Sequence, residues 1–165
     1  MLDLSHLDEQ AQQIYDLAAQ SASKRTAKAS GTLNLSPDAV RALAANPAGR
    51  SDILSAARVA AIQAMKQTGH LIPLCHPLPL THSRVDFDID VELARIKATV
   101  TVSGDSGTSV EMEAMMGVNI ALLTVYDMMK AVDRQMVITQ VHLVERTGGK
   151  SGNFLYDNKF ENIDY

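Results

Sequence analysis

Two stretches in the middle of the chain alternate strictly between apolar and polar residues. Over residues 85–93 the apolar side chains occupy odd positions, and over residues 96–102 they occupy even positions. Two antiparallel strands joined by a tight turn at residues 93–94 require this change of parity, because alternate side chains of a strand point to opposite faces. The pattern therefore predicts a β-hairpin. The expected cross-strand pairs are Glu92 with Arg95 and Asp90 with Lys97.

The flanking sequence predicts two more strands and several helices. A strand is expected over residues 24–35, where small or apolar residues alternate with basic or polar ones, and another over residues 136–146. Apolar residues three and four apart predict helices at residues 7–19 and 37–46, and in a segment that Ser51 or Asp52 caps and that lasts to Gly69.

The longest helical pattern covers residues 108–132, and Thr108 and Glu111 have the spacing of a capping box. Its few polar residues scatter around the helix, so that apolar surface extends almost all round it. Such a helix is buried on more than one side. Because a domain of this size has difficulty covering every face of it, we expect a homo-oligomer in which this helix also contacts a neighbouring subunit.

The order of strands and helices predicts the fold class. It reads βαββαβ, which is typical of an α+β protein with a ferredoxin-like fold, in which helices pack on one face of a four-stranded antiparallel sheet. We expect a single domain over residues 1–165, with loosely packed terminal segments at residues 1–23 and 153–165.

Composition excludes several classes of function. The 165 residues are 46% hydrophobic, carry a formal net charge of −4 and include one cysteine. A disulfide framework is thereby excluded, and the negative charge argues against generic nucleic-acid binding. Neither a secretory signal nor a membrane-spanning apolar run is visible, so the expectation is a cytoplasmic protein without membrane partners.

Chemistry-bearing residues concentrate in the proline segment, our name for residues 70–82. It holds three of the five prolines, three of the five histidines and the single cysteine. Its prolines exclude a helix and predict a stiff, extended segment that holds His76 in place. Simple burial of the segment is the alternative. Adjacent Cys75 and His76 would point to opposite faces, which disfavours a nucleophilic pair, and histidines six apart do not match a metal-site pattern, so no metal is expected.

Asp127 and Lys130 lie three residues apart and so share one side of the long helix. They form either a surface ion pair or a lysine whose protonation and orientation a carboxylate controls, as a general acid or phosphate contact requires. Glu113 cannot pair with Asp127, since fourteen helical residues span about 21 Å. Gly149, Lys150 and Ser151 form a glycine turn that could offer donors to an anion, although the rest of a nucleotide-binding loop is missing.

Four motifs resemble those of the molybdenum-cofactor biosynthesis protein C (MoaC) family, the cyclic pyranopterin monophosphate synthases. They are Leu-Ile-Pro-Leu-Cys-His-Pro-Leu at residues 71–78, Val-Glu-Met-Glu-Ala at 110–114, Tyr-Asp-Met-Met-Lys-Ala-Val at 126–132 and Gly-Gly-Lys-Ser-Gly from Gly148. The spacing between the motifs also fits, from about Asp16 onward.

The resemblance implies a lyase without a cofactor. Its substrate would be the 3′,8-cyclised dihydro derivative of GTP, which it would rebuild as cyclic pyranopterin monophosphate with release of pyrophosphate. It also implies a homohexamer, built as a trimer of dimers with sites at subunit interfaces. Lys130 would be the catalytic acid, Asp127 would orient it, and His76 would contact phosphate or transfer protons. The residues expected to bind substrate are Arg25, Lys66, Cys75, Glu111, Met112, Glu113 and Lys150.

One departure from the family pattern affects the catalytic set. Arg50 stands where the family usually has a catalytic lysine, and Arg146 stands where a lysine is common. Arginine keeps its charge at ordinary pH, so Arg50 can bind phosphate but cannot act as a general acid. Two hypotheses follow: an active synthase in which Lys130 carries proton transfer, or a non-catalytic oligomeric relative that binds a purine or pterin nucleotide.

Overall fold

The computed structural model describes residues 23–149 and 152–157. The helix expected at residues 7–19, Lys150 and most of both terminal segments lie outside this part of the chain. Eight elements follow one another along it. They are β1 (Ser23–Asn34), α1 (Pro37–Ala45), α2 (Pro47–Leu71), β2 (Leu80–Asp90), β3 (Arg95–Ser106), α3 (Glu111–Met129), β4 (Val137–Thr147) and β5 (Phe154–Leu155).

The strands form one antiparallel sheet in the order β2-β3-β1-β4-β5. Strand β1 is central, and its alternate residues Ala27, Ala29 and Leu33 are almost fully buried in the main core. Helix α3 lies across β1, β3 and β4, and α2 packs against α3 and β2. No helix in the described part of the chain combines the length and apolar character that crossing a bilayer would require.

The α+β class and the antiparallel sheet are confirmed, but the sheet has more strands than predicted. It has five because β5 pairs with the end of β4, where Glu145 lies opposite Leu155. Two separate helices, α1 and α2, follow β1 as expected, so the order of elements differs from the βαββαβ order of a ferredoxin-like fold. The short β5 was missed because two residues are too few to show an alternating pattern.

The predicted hairpin forms, but its register is wrong by one pair. Asp90, not Glu92, lies opposite Arg95, and Asp88 lies opposite Lys97. The turn takes four residues because the Asp90 carboxylate accepts the backbone N–H of Leu93 at 2.9 Å, which closes the turn earlier. Ala94 completes it with a φ of 47°.

Two helix starts also differ from the prediction. Helix α2 begins at Pro47 because the Asn46 side chain accepts the N–H of Gly49 at 3.0 Å, so Asn46 is the cap in place of Ser51 or Asp52. Helix α3 begins at Glu111, after Val110, and has no side-chain cap. The capping box was wrong because the Glu111 carboxylate is bound elsewhere, as described below.

Helices α2 and α3 run antiparallel in close contact. A methyl group added at Gly117 of α3 would lie 3.0 Å from Met65 Cγ of α2. At the end of α2, the charge of Glu113 in the first turn of α3 is felt by Cys75, four residues beyond α2. The carboxyl end of α2 therefore meets the amino end of α3, and the opposite ends meet as well.

We predict that Gly69→Ala disrupts the proline segment. A Cβ at Gly69 would lie 2.5 Å from Pro77 N and 2.7 Å from the His76 carbonyl carbon, and both are backbone atoms that cannot swing away. Overpacking of this kind costs about 1–3 kcal/mol, which urea unfolding would measure.

Ser55→Ala, at an exposed position of the same helix, is the matched control. We expect this variant to unfold within about 0.5 kcal/mol of the wild type. Equal stability of Gly69→Ala and Ser55→Ala would contradict the proposed contact.

Candidate active site

The proline segment is fixed between a helix and a strand. It leaves α2 at Ile72, makes one turn in which Cys75 donates its N–H to the Ile72 carbonyl at 3.0 Å, and reaches β2 without further helical bonds. Its backbone rests on Gly69 of α2, and a Cβ at Gly104 of β3 would lie 2.9 Å from the Pro79 carbonyl oxygen. The three prolines lie outside any helix, as predicted, but residues 70 and 71 of the segment still belong to α2, and the turn that follows was not expected in an extended segment. His76 is half-buried in this segment.

Glu113 is the buried carboxyl group of this region. Its side chain is 3% exposed, and its Oε2 atom has no hydrogen-bond partner within the described structure. Burial raises its pKa. A group in this state favours the protonated form, in which it can donate a hydrogen bond.

Cys75 lies close enough to Glu113 to be influenced by it. Burial, and then the charge of Glu113, raise the pKa of the Cys75 thiol. A thiol with a raised pKa is a poor nucleophile, since the thiolate is the reactive form. Cys75 therefore suits contact with a ligand better than covalent catalysis.

Two arginines lie near the amino end of α3. Arg146 of β4 donates from Nη1 to Glu111 Oε1 at 3.0 Å, and the Ser109 hydroxyl donates to the same oxygen at 2.8 Å. Arg25 of β1 donates from Nη2 to the Gly107 carbonyl at 2.9 Å. The Nε atoms of both arginines are buried and have no acceptor in the described part of the chain. Two donors are thus held ready for an acceptor.

A glycine turn passes directly over one of these arginines. Gly148 and Gly149 have φ angles of 91° and 86°, which favour glycine, and a Cβ at Gly149 would collide with the Arg25 guanidinium. The turn that the sequence indicated therefore lies at an arginine. Lys150, expected to bind substrate, is outside the described residues.

Asp127 and Lys130 form an ion pair at the other end of α3. Lys130 Nζ lies 2.5 Å from Asp127 Oδ1, and the side chains are 57% and 67% exposed for Lys130 and Asp127. The hydrogen bond from Lys130 to Asp127 raises the pKa of the lysine. The ion pair therefore holds Lys130 in its cationic form, which suits contact with a phosphate, and the lysine must leave this pair before it can give up a proton.

Arg50 belongs to the same end of the molecule. It lies in the first turn of α2, and the antiparallel packing of α2 and α3 places that turn beside the carboxyl end of α3. Lys66 and Met112 are exposed, on α2 and α3 respectively. Both belong to the half of the molecule that contains the proline segment.

The predicted site residues thus form two groups at opposite ends of one helix pair. The first contains Arg25, Cys75, His76, Glu111 and Glu113; the second contains Arg50, Asp127 and Lys130. Glu113 and Asp127 are separated by about 21 Å along α3, so a single chain does not bring the two groups together.

Sequence reasoning did not select Arg146 as a site residue. It lies one residue before the end of β4, and Glu111 and the glycine turn are both beside it. A basic residue two positions before paired glycines was the available signal. The long-range pairing of β1 with β4, which sets Ala27 opposite Arg146, was needed to interpret it.

Comparison with known proteins agrees with the four motifs. The model of the MoaC family matches residues 14–149. A protein of Clostridium perfringens called cyclic pyranopterin monophosphate synthase is 45% identical over 152 residues, which are 92% of this chain and 96% of that protein.

Two further relatives have the same name. The protein of Roseiflexus sp. is 44% identical over 158 residues, 95% of this chain and 100% of its own length. That of Desulforapulum autotrophicum is 42% identical over 158 residues, 95% of this chain and 97% of its own length. With matches of this extent, the chain belongs to the MoaC family.

Proposed function

We propose that this protein is a cytoplasmic cyclic pyranopterin monophosphate synthase. It acts as a lyase on the 3′,8-cyclised dihydro-GTP intermediate of molybdenum-cofactor biosynthesis, closes a cyclic phosphate and expels pyrophosphate. The relatives that cover nearly the whole chain are named for this product. Within the chain, the observation that carries the proposal is that two arginines with unsatisfied Nε donors and the buried carboxyl group of Glu113 all lie at the amino end of α3.

The first group of residues suits the two parts of such a substrate. Arg25 and Arg146 offer buried Nε donors to a triphosphate, for which guanidinium groups have matching geometry. Glu113 suits the heterocycle, because its unpartnered oxygen can accept a hydrogen bond from a ring or exocyclic N–H, or donate one when it is protonated. His76 and Cys75, in the proline segment, complete this side of the site.

The second group supplies proton transfer and charge. Lys130 is the general acid, and Asp127 orients it through their ion pair. Arg50 binds phosphate and stays charged throughout, so it takes over the electrostatic part of the role of a lysine but not its proton transfer.

We further propose that the complete site forms between subunits of a homo-oligomer, a hexamer arranged as a trimer of dimers. The two groups of residues are too far apart in one chain to act on one small molecule. Helix α3 also exposes large apolar side chains although it is packed against both α2 and the sheet. They are Met112 (41% exposed), Leu123 (51%) and Met128 (44%). A neighbouring copy that covers them would bring the second group to the first.

One feature favours a second candidate function. Because Arg50 stands at a position where the family usually has a lysine, the chain is alternatively a non-catalytic oligomer that binds a purine or pterin nucleotide. In that case the arginines and Glu113 would still hold the ligand.

Turnover separates the two candidates. With the cyclised GTP derivative, we expect release of pyrophosphate and formation of cyclic pyranopterin monophosphate.

Lys130→Ala should lower kcat by about 100-fold or more, because a positioned general acid contributes that much. Arg50→Ala should raise KM by about 10-fold, the effect of one charge-assisted hydrogen bond. Arg41→Ala, an exposed residue of α1, is the control. Ligand binding without either product would support the non-catalytic candidate.

Mixed oligomers test whether the site is shared. His76→Ala and Lys130→Ala, each inactive alone, should recover activity when they are co-expressed, since some sites then take the first group from one subunit and the second from another. Random assembly of equal amounts gives about a quarter of the sites both intact groups. Co-expression of His76→Ala with Glu113→Ala, both in the first group, should recover nothing. Failure of the first pair to recover activity in stable mixed oligomers would place the whole site in one chain.

The charge of Glu113 should be visible in the pH dependence of stability. A carboxyl group whose pKa is raised on folding stabilises the protein relative to its ionised form below the unfolded pKa, and this contribution is lost as pH rises through the folded pKa. Glu113→Gln should therefore gain stability relative to the wild type as the pH rises above the range in which an ordinary glutamate ionises, by about 1–3 kcal/mol. Urea unfolding at fixed protein concentration measures this. Glu92→Gln, in the exposed hairpin turn, is the control for the loss of a surface carboxylate. A stability difference between Glu113→Gln and the wild type that does not change with pH would contradict the raised pKa of Glu113.

A further inference from the structure

Lys130 is an exposed residue, whereas a catalytic acid must be held in a fixed orientation. Its pair with Asp127 is more than half exposed on both sides, and exposed ion pairs of this kind hold side chains weakly. Lys130 also follows the last residue of α3, where helices commonly fray. The orientation of this residue therefore depends on what fixes the chain just after the helix, in residues 130–136, which we call the exit segment.

Asp133 is the one aspartate in the described part of the chain with a side chain that is almost fully buried, at 8% exposure. Both of its oxygens accept backbone hydrogen bonds. Oδ2 accepts the N–H of Ser36 at 2.7 Å, and Oδ1 accepts the N–H of Gln135 at 2.8 Å. These two bonds lower the pKa of Asp133, so the carboxylate is ionised at neutral pH. It joins the exit segment to the turn between β1 and α1, which is 97 residues away in the chain.

The cap of α1 comes from a different side chain. Ser36 caps α1 with its own hydroxyl, which accepts the N–H of Ala39 at 3.3 Å. Asp133 accepts the backbone N–H of Ser36, and the Ser36 hydroxyl makes a smaller contribution to the lowered pKa of the carboxyl group. Asp133 therefore ties the exit segment to the residue at which α1 begins.

Other hydrogen bonds also hold the exit segment in place. Asp133 and Val132 both donate their N–H groups to the Met129 carbonyl, at 3.1 and 2.8 Å. The Tyr126 hydroxyl donates to the Arg134 carbonyl at 3.2 Å. Tyr126 is the neighbour of Asp127, so the helix turn that carries Asp127 is tied to the segment that Asp133 holds.

We propose that Asp133 is a positioning residue for the reaction: by holding the exit segment against the turn at Ser36, it fixes Lys130 and Asp127 in the orientation in which they act. This inference rests on the proposed function of Lys130 as the acid. A carboxylate is required because each oxygen accepts from a backbone N–H. An asparagine would turn its NH2 group toward one of the two donors and lose that bond.

Asp133→Asn tests the proposal with a measurement that needs no turnover. The pKa of the Lys130 amine can be obtained from the pH dependence of its acetylation, read by mass spectrometry. In Asp133→Asn we expect this pKa to fall toward that of an ordinary lysine, because the contact with Asp127 loosens. Asp38→Asn is the matched control, since Asp38 is an exposed aspartate of the adjacent helix α1. It should leave the pKa of Lys130 unchanged.

Steady-state kinetics give the second measurement. Asp133→Asn should lower kcat by about tenfold with KM changed less than twofold, since an acid is displaced while the phosphate contacts remain. In a Lys130→Ala background, Asp133→Asn should cause no further loss of the residual rate. Tyr126→Phe removes one hydrogen bond to the exit segment and does not change a buried charge. It serves as the second variant if Asp133→Asn fails to fold. It should lower kcat by a smaller factor and also leave KM unchanged.

Two outcomes would overturn the proposal. One is an unchanged Lys130 pKa in a folded Asp133→Asn protein or, where that variant does not fold, an unchanged kcat in Tyr126→Phe. The other is an equal loss of rate with and without Lys130, which would assign Asp133 a purely structural role. If the wild type has no synthase activity but Asp133→Asn still lowers the pKa of Lys130, the proposed function fails while the positioning contact stands.

Discussion

The antiparallel contact of α2 with α3 determines where the site residues of both helices and of the proline segment lie. Gly117 allows α2 to approach so closely that Met65 rests on the backbone of α3. Because the helices are antiparallel, the first turn of α2 and the last turn of α3 share one end of the molecule. The proline segment, which begins where α2 ends, is carried to the first turn of α3. A larger residue at Gly117 would thus change the relative placement of Arg50 and Lys130, as well as that of Cys75 and Glu113.

Each end of the helix pair contains a titratable group whose pKa is raised, but the physical cause differs between the two ends. At the first, burial raises the pKa of Glu113 and favours its neutral form. At the second, an exposed carboxylate raises the pKa of Lys130 and favours its charged form. The two ends therefore differ in environment, with a buried carboxyl group whose ionisation is disfavoured at one end and an exposed, paired cation at the other. If a neighbouring subunit joins the two ends, as proposed, a substrate between them meets the buried carboxyl group on one side and the cation on the other.

Those features that depend on local periodicity were predictable from the sequence. Alternating residues gave the hairpin strands and β1, and the prolines excluded a helix at His76. Features that depend on which of several hydrogen-bond partners one side chain binds were not predictable from the sequence. Asp90 closes the hairpin turn early and shifts its register, Asn46 caps α2 ahead of Ser51, and Glu111 binds Arg146 in place of the α3 backbone. Each of these is a choice between nearby hydrogen-bond partners, which spacing alone does not resolve. The role of Asp133 was invisible for a different reason, since its partner Ser36 is close only in the folded chain.

Because residue 50 is an arginine, catalysis depends more strongly on how Lys130 is positioned. A guanidinium group can neutralise phosphate charge but holds its proton throughout the physiological range, so it cannot share in proton transfer. Under the proposed function, Lys130 is then the principal cationic acid of the site. Its own ion pair is too exposed to hold it rigidly. The precision that a proton transfer requires must come from the backbone around it, and the buried carboxylate of Asp133, with both oxygens bound to backbone N–H groups, is the contact that supplies it.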